Sequence, residues 1–321
     1  LKCRGMGISL QSNDTVSDMD RLKAKLDKLM EHGFDAVEIP IQGLGVIRNG
    51  LLNERRLETY RKLFQNVPLH VTTHAPFDLN MFRQGNGDTE LKLLMASVEA
   101  SGAIGAQTIV YHVGRYVGEE QFLYPQCWSH YDESAKKELL RKEREWLRLA
   151  GDRAAQLKLK IAMENMRPYL DCPEYCYSVI PRLLAAQVAS IGHPQVGVAL
   201  DVGHLHLSTE MYGLDLEQEV RLLMPHIIHL HVHDNFGKPS FSTEKNQYEL
   251  IPLGRGDLHA PIGTGDVPMA EIMALLGGSF DGFLIHEVRG QYEKDWPALA
   301  EWGRGATRDA GAHSVRRTSV G

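Results

Sequence analysis

Lys160-Ile161-Ala162-Met163-Glu164-Asn165 is a short β-rich run that ends in a carboxylate and an amide, and Val196-Gly197-Val198-Ala199-Leu200-Asp201 repeats the pattern. The segment between them reads as a helix. Working outward, the same unit recurs at Gly5–Leu10, Asp35–Pro40, Leu69–His74 and Thr108–Val113 on one side, and at Ile227–Val232 and Gly282–Glu287 on the other. The intervening stretches carry helical periodicity. Asp18 to His32 places Leu22, Leu26, Leu29 and Met30 on one stripe and stops at Gly33, while Asp132 to Leu157 does the same with Leu139, Leu140, Trp146, Leu147, Ala150, Ala154 and Leu157. Strands that alternate with helices form parallel βαβ units, because a parallel crossover needs a dozen or more residues.

Eight such units in 321 residues predict an α/β fold, a (β/α)8 TIM barrel, whose usual size is about 250 residues plus insertions. A doubly wound open sheet is the alternative, but no Gly-x-Gly-x-x-Gly follows the first strand. The barrel domain is expected over 1–302. Within it, residues 234–266 form a polar stretch too long for a simple βα loop, which points to function. Residues 303–321 lack an apolar period and are expected to be a disordered tail, its four Arg solvated.

Composition narrows the function. Lys plus Arg is 35 against 41 for Asp plus Glu, a net charge of −6, which gives no strong pull on nucleic acid or anionic lipid. No apolar run approaches the roughly 18 residues of a membrane span. Four Cys do not make a disulfide scaffold, and the Cys172/Cys176 pair is read as structural. With no signal-peptide core at Leu1-Lys2-Cys3-Arg4, a cytoplasmic location is expected. Fifteen His stand out in an otherwise ordinary chain, and His is the commonest metal ligand.

In barrel enzymes the chemistry sits at the C-terminal ends of the strands. Here those ends carry His74, His112, Glu164, Asp201, His231 and Glu287. Alternation puts Val110 with His112, Ala162 with Glu164, Ala199 with Asp201 and Ile285 with Glu287 on one face. If the first of each pair faces the barrel interior, the second faces the mouth. A lone strand His is usually a hydrogen-bonded core residue, and a lone strand-end carboxylate can simply cap the next helix. A ring of buried carboxylates, however, needs cations. His204, three residues after Asp201, and the Asp257-Leu258-His259 stretch of the long loop add further ligand types. Mixed His and carboxylate donors suit zinc, manganese or iron better than calcium or magnesium.

His74-Ala75-Pro76-Phe77-Asp78-Leu79-Asn80, Ala162-Met163-Glu164-Asn165, Asp201-Val202-Gly203-His204, His231-Val232-His233-Asp234-Asn235 and Asp257-Leu258-His259 with the following Gly-x-Gly resemble the xylose-isomerase-like TIM barrels. That superfamily includes sugar isomerases and epimerases and the endonuclease IV enzymes, and the resemblance covers roughly residues 4–290. It implies a core divalent metal on Glu164, Asp201, His231 and Glu287. The endonuclease IV pattern adds His74 and His112 with Glu164 for a second ion, and His204, Asp257 and His259 for a third, so one to three ions of zinc or manganese are expected. The loop after the second strand, Pro40 to Asn49, lacks the polar and basic cluster with which the nuclease enters a duplex, and Phe77 replaces a nuclease Tyr. Glu38 resembles the second-strand Glu of the sugar-acting branch.

The expected function is therefore a metal-dependent isomerase or epimerase of a sugar or sugar phosphate. Its metal would hold vicinal oxygens, and Glu164 and Glu287 would carry protons to and from the two faces of an enediolate. His204 would contact a hydroxyl, Glu38 and His74 would contact substrate, and Arg289 would hold an anionic tail. The alternative is an endonuclease IV-like phosphodiesterase, with Lys238 neutralising phosphate, and a third reading is a sugar-binding barrel without catalysis. His233 is read as supporting the ligands and His229 as a deeper core residue.

Overall fold

A computed structural model of the chain describes residues 2–15, 18–85, 88–244 and 249–316, with side chains described as far as residue 306. Eight parallel strands close into a barrel: β1 (Lys2–Ser9), β2 (Ala36–Pro40), β3 (His70–His74), β4 (Thr108–His112), β5 (Lys160–Glu164), β6 (Val196–Asp201), β7 (Ile227–Val232) and β8 (Asp281–His286). Each strand pairs with its sequence neighbours, and β1 meets β8 to close the ring. The (β/α)8 expectation holds.

The principal helices on the outer face are α1 (Met19–Glu31), α2 (Glu54–Phe64), α3 (Thr89–Ala103), α4 (Glu133–Gln156), α5 (Pro181–Ile191), α6 (Val202–Tyr212), α7 (Leu216–Leu223), α8 (Met269–Leu276) and α9 (Trp296–Arg316). Asp18 caps α1 through the Arg21 amide, and Asp132 caps α4 through the Ala135 amide. The main core lies between this shell and the strands. On α4 the buried stripe also includes Glu143, which the apolar pattern does not reveal. Its carboxylate accepts from Tyr111 and Tyr177 hydroxyls, the Gly114 amide and Gln187 Nε2. No described helix is long and apolar enough to cross a membrane.

Two smaller apolar clusters fill the barrel interior. Val110, Ala162 and Ala199 form one, and Ala36, Phe283 and Ile285 the other. Four of these, Val110, Ala162, Ala199 and Ile285, stand two residues before a mouth ligand, as the alternation requires. Small residues here leave room above for a polar layer.

The C-terminal helix departs from expectation. A disordered tail was expected over 303–321; α9 runs to Arg316, and 317–321 lie outside the described residues. Gly303 is buried against the barrel, and a Cβ there would meet Met6 Sδ at 1.8 Å.

Candidate active site

Register brings the strand-end side chains together. His112 pairs with Glu164, and Asp201 and Ile285 both pair with His231. Glu287 follows one residue after β8, its amide bonded to the Val232 carbonyl. Among the described residues three donor groups form at the mouth: His74, His112 and Glu164; Glu164, Asp201, His231 and Glu287; and His204, His233, Asp257 and His259; a fourth, Glu38, His229 and His231, is wholly buried. Glu164 belongs to the first two.

The ring orientations are fixed by hydrogen bonds. His74 turns Nδ1 to its neighbour's carbonyl at 2.7 Å and Nε2 to Glu164 Oε2 at 3.3 Å. His204 turns Nδ1 to the Asn165 carbonyl at 2.8 Å and Nε2 to Asp257 Oδ2 at 3.1 Å. His259 turns Nδ1 to the Glu287 carbonyl and Nε2 to Asp257 Oδ2, both at 2.8 Å. A neutral imidazole has one N–H. Spent on a main-chain carbonyl, it leaves a lone pair facing a carboxylate, a repulsive contact unless a proton or a metal cation lies between them.

Charge within the mouth points the same way. Burial disfavours a charged His204, yet Asp201 and Asp257 outweigh it and push its pKa up to about 10. Burial opposes ionisation of Glu287 too, but His231 and His259 bring it down to about 2. Glu164, equally buried, is held well below the usual carboxylate range by His112 and His231. The site prefers positive charge among ionised carboxylates.

The donors fit zinc or a similar ion. With zinc–ligand bonds of about 2.0–2.1 Å, tetrahedral neighbours stand about 3.3 Å apart. Both His74 and His112 Nε2 lie 3.3 Å from Glu164 Oε2. His231 Nδ1 lies 3.4 Å from Glu164, 3.2 Å from Glu287 and 4.0 Å from Asp201. Asp257 Oδ1 is buried with no hydrogen-bond partner.

Supporting residues position these donors. Asp201 caps α6, its Oδ1 accepting from the His204 amide at 2.7 Å, so one carboxylate both starts a helix and faces the donors. Asn165 bonds the Asp201 amide and carbonyl. Asp234 accepts from the Gly263 and Val267 amides and so pins the long loop. That loop also pairs Asp234 with Ala260 in an antiparallel bridge.

Above the donors lies a cavity of about 390 Å³, within the roughly 300–1,000 Å³ of small-molecule sites. Glu164, Glu287, His112, His204, Asp257 and His259 form part of its lining, and its walls include Ser9, Gln11, Ser12, Asn13, Phe77, Tyr169 and Ser242. The charged wall residues are Glu119, Arg167, Glu244 and Arg289. Arg167 donates from Nε to the Tyr169 hydroxyl and from Nη1 to Asp257. Arg289 donates to the Asp257 and Leu258 carbonyls.

A family model for the xylose isomerase-like TIM barrel matches residues 26–309. The chain belongs to that family. A structure of a D-tagatose 3-epimerase-like protein superposes with a TM-score of 0.68 at 21% identity, covering 97% of this chain and 99% of the other. A D-psicose 3-epimerase solved in the presence of D-fructose gives 0.63 at 16% identity, covering 95% and 98%. An IolI protein with a bound zinc atom gives 0.63 at 16%, covering 95% and 97%. At these identities the likenesses establish the fold.

As a xylose isomerase-like barrel, the chain places several expected substrate residues elsewhere. Glu38, expected at the substrate, is wholly buried below the donors and does not line the cavity. Its Oε1 takes His231 Nε2 at 2.9 Å, and its Oε2 lies 3.0 Å from His229 Nε2. Glu38 thereby turns His231 Nδ1 toward Glu164 and Glu287. His74, also expected at substrate, is buried beneath Phe77 with the ring centroids 4.6 Å apart. Lys238 is exposed and outside the cavity lining. Arg289 does line the cavity, but its guanidinium braces the long loop. Arg167 and Tyr169 were missed in sequence, although Arg167 stands two residues beyond the Glu164-Asn165 strand end, where a signal was available.

Proposed function

We propose that this chain is a divalent-metal-dependent sugar isomerase or epimerase acting on an unphosphorylated ketose or aldose. The observation that carries this reading is the convergence of two ionised carboxylates, Glu164 and Glu287, on a small cavity whose arginines are already engaged. Bound on Glu164, Asp201, His231 and Glu287, a divalent ion would supply Lewis acidity, making the proton between vicinal sugar oxygens easier to remove. The ionised carboxylate of Glu164 or Glu287 is in the form that accepts such a proton at its free oxygen. For isomerisation the carboxyl that took the proton returns it on the same face; for epimerisation the other carboxyl, having first taken a proton from solvent, delivers that proton from the opposite face. Gln11, Ser12, Asn13 and Ser242 supply neutral donors and acceptors suited to hydroxyls. Arg167 and Arg289 are engaged with Asp257 and with loop carbonyls, and Glu119 and Glu244 in the same walls disfavour a phosphate. The sugar epimerases among the structural neighbours support the assignment.

A second reading, phosphodiester hydrolysis, is favoured by the three donor groups, which offer places for more than one ion. Two assays on the purified, metal-analysed protein separate the readings: a panel of ketoses and ketose phosphates, and nicking of DNA with an abasic site. Metal-dependent turnover of a free ketose is expected, with loss of activity in Glu164→Gln. DNA nicking without ketose turnover would reverse the order.

A further inference from the structure

The third donor group differs from the other two in where its members come from. Asp257 and His259 lie on the long loop, whereas His204 opens α6 and His233 follows β7. We infer that His204, His233, Asp257 and His259 form a closed four-donor metal site that fastens the long loop to the barrel, leaving the Glu164 clusters to do the chemistry.

Four protein ligands around zinc mark a structural site, while catalytic sites keep a position open for water or substrate. Three of the four donors alone would leave such a position, and His233 fills it. Its Nε2 lies 3.7 Å from Asp257 Oδ1, the buried oxygen that has no hydrogen-bond partner. That separation is too long for a hydrogen bond and suits two donors on one ion. The His233 ring stacks on His259 with centroids 4.2 Å apart and meets His204 edge-on at 5.9 Å, so the three imidazoles converge.

The fold makes room for this ring. A Cβ on Gly203 would lie 2.0 Å from His233 Cε1 and 2.6 Å from Nδ1, so any side chain at 203 would expel the imidazole. Packed there, His233 presents Nε2 alone to the carboxylates. Asn235 holds the Gly203 carbonyl through Nδ2 at 3.0 Å, which keeps the two segments together. At 259 the backbone adopts φ +46°, a left-handed conformation that is rare for a residue with a Cβ. From that backbone the ring reaches the Glu287 carbonyl with Nδ1 and faces Asp257 with Nε2.

His233 Nε2 is also 3.0 Å from both Asp201 oxygens, so the rival role is a plain hydrogen bond supporting Asp201. The inference rests on the mouth binding divalent metal but is independent of which substrate is turned over. The test counts zinc per chain by mass spectrometry in wild type, His233→Ala, His233→Asn and His259→Ala. It adds the visible spectrum of the cobalt(II)-loaded proteins and protease cleavage within 234–266. His233→Asn retains an amide donor for Asp201 and serves if His233→Ala does not fold.

Each variant is expected to lose one zinc per chain, to lose the intense four-coordinate cobalt component and to be cut in the loop at least tenfold faster. The remaining zinc should stay. Wild-type ion number and an unchanged cobalt spectrum in both His233 variants would overturn the inference and leave His233 as a support for Asp201. So would wild-type protein that holds zinc on the Glu164 clusters but none that depends on His259. Protein that binds no zinc at all would overturn the metal reading itself, while failure on every sugar with the ion count intact would overturn only the substrate.

Discussion

The mouth is built in two ways. Its strand-borne half, Glu164, Asp201, His231, Glu287, His74 and His112, sits at or next to the ends of hydrogen-bonded strands, so backbone register sets the spacing before any side chain contributes. Its loop-borne half, Asp257 and His259, has no ladder beneath it and depends on separate anchors. These are Asp234 on the Gly263 and Val267 amides, and Arg289 on the Asp257 and Leu258 carbonyls. Strand-borne donors follow from pattern, whereas loop-borne donors have to be tied down one bond at a time. The strand half should therefore resist loss of a neighbour, and the loop half should loosen when one anchor goes.

The largest expected effect is on the strand half. Glu164→Gln removes a shared oxygen donor, and turnover should fall by roughly 10²–10⁴-fold with metal lost from both of its groups. Loss of metal from only one group would show that the sharing is nominal. Glu38→Ala comes next. Without its hydrogen bond His231 no longer has Nδ1 fixed toward Glu287, and metal affinity should fall about 10–100-fold in a chelator competition. A lower melting temperature with unchanged affinity would reduce Glu38 to a structural residue.

Arg289→Ala tests the loop half. Losing its charge-assisted bonds should cost about 1.5–3 kcal/mol locally, read as faster amide exchange at 257–260, with the amides of β5 and β6 unchanged. Uniform acceleration would contradict the division into halves. The smallest effect concerns His204, which bridges them. Its folded pKa, about 10, lies above its ordinary value of 6.5, so without metal its contribution to stability is present below about 6.5 and lost as pH rises toward 10. At pH 7.5 zinc must displace that proton, so calorimetry in buffers of different ionisation enthalpy should show at least one proton released per chain.

What could be read in the sequence follows the same division. Strand-end donors were visible because a period of two and a carboxylate or imidazole at each end leave few alternatives. Arg289 was expected to hold an anionic tail, and nothing in a sequence shows that its guanidinium also donates to the carbonyls at 257 and 258. Glu38 and His74 were placed at the substrate although alternation gives only a face, not a depth. Glu143 was passed over because a lone acid in an apolar stripe looks like surface, until four donors are found around it. The docking of α9 was not legible because it rests on the fit of Gly303 onto Met6 and on the edge of Trp302 on His286, contacts without periodicity.

That last contact has a consequence for how the ring is closed. Met6 and His286 belong to β1 and β8, the two strands that close the ring, and α9 lies across their seam. The strand β1 thus gains its second neighbour only from Asp281–His286, a pairing between segments far apart in sequence. Until that pairing forms, β1 has an open edge on that side. A chain cut shortly before residue 303 would keep every metal donor and lose the fit of Gly303 onto Met6 at the seam of the barrel that holds them.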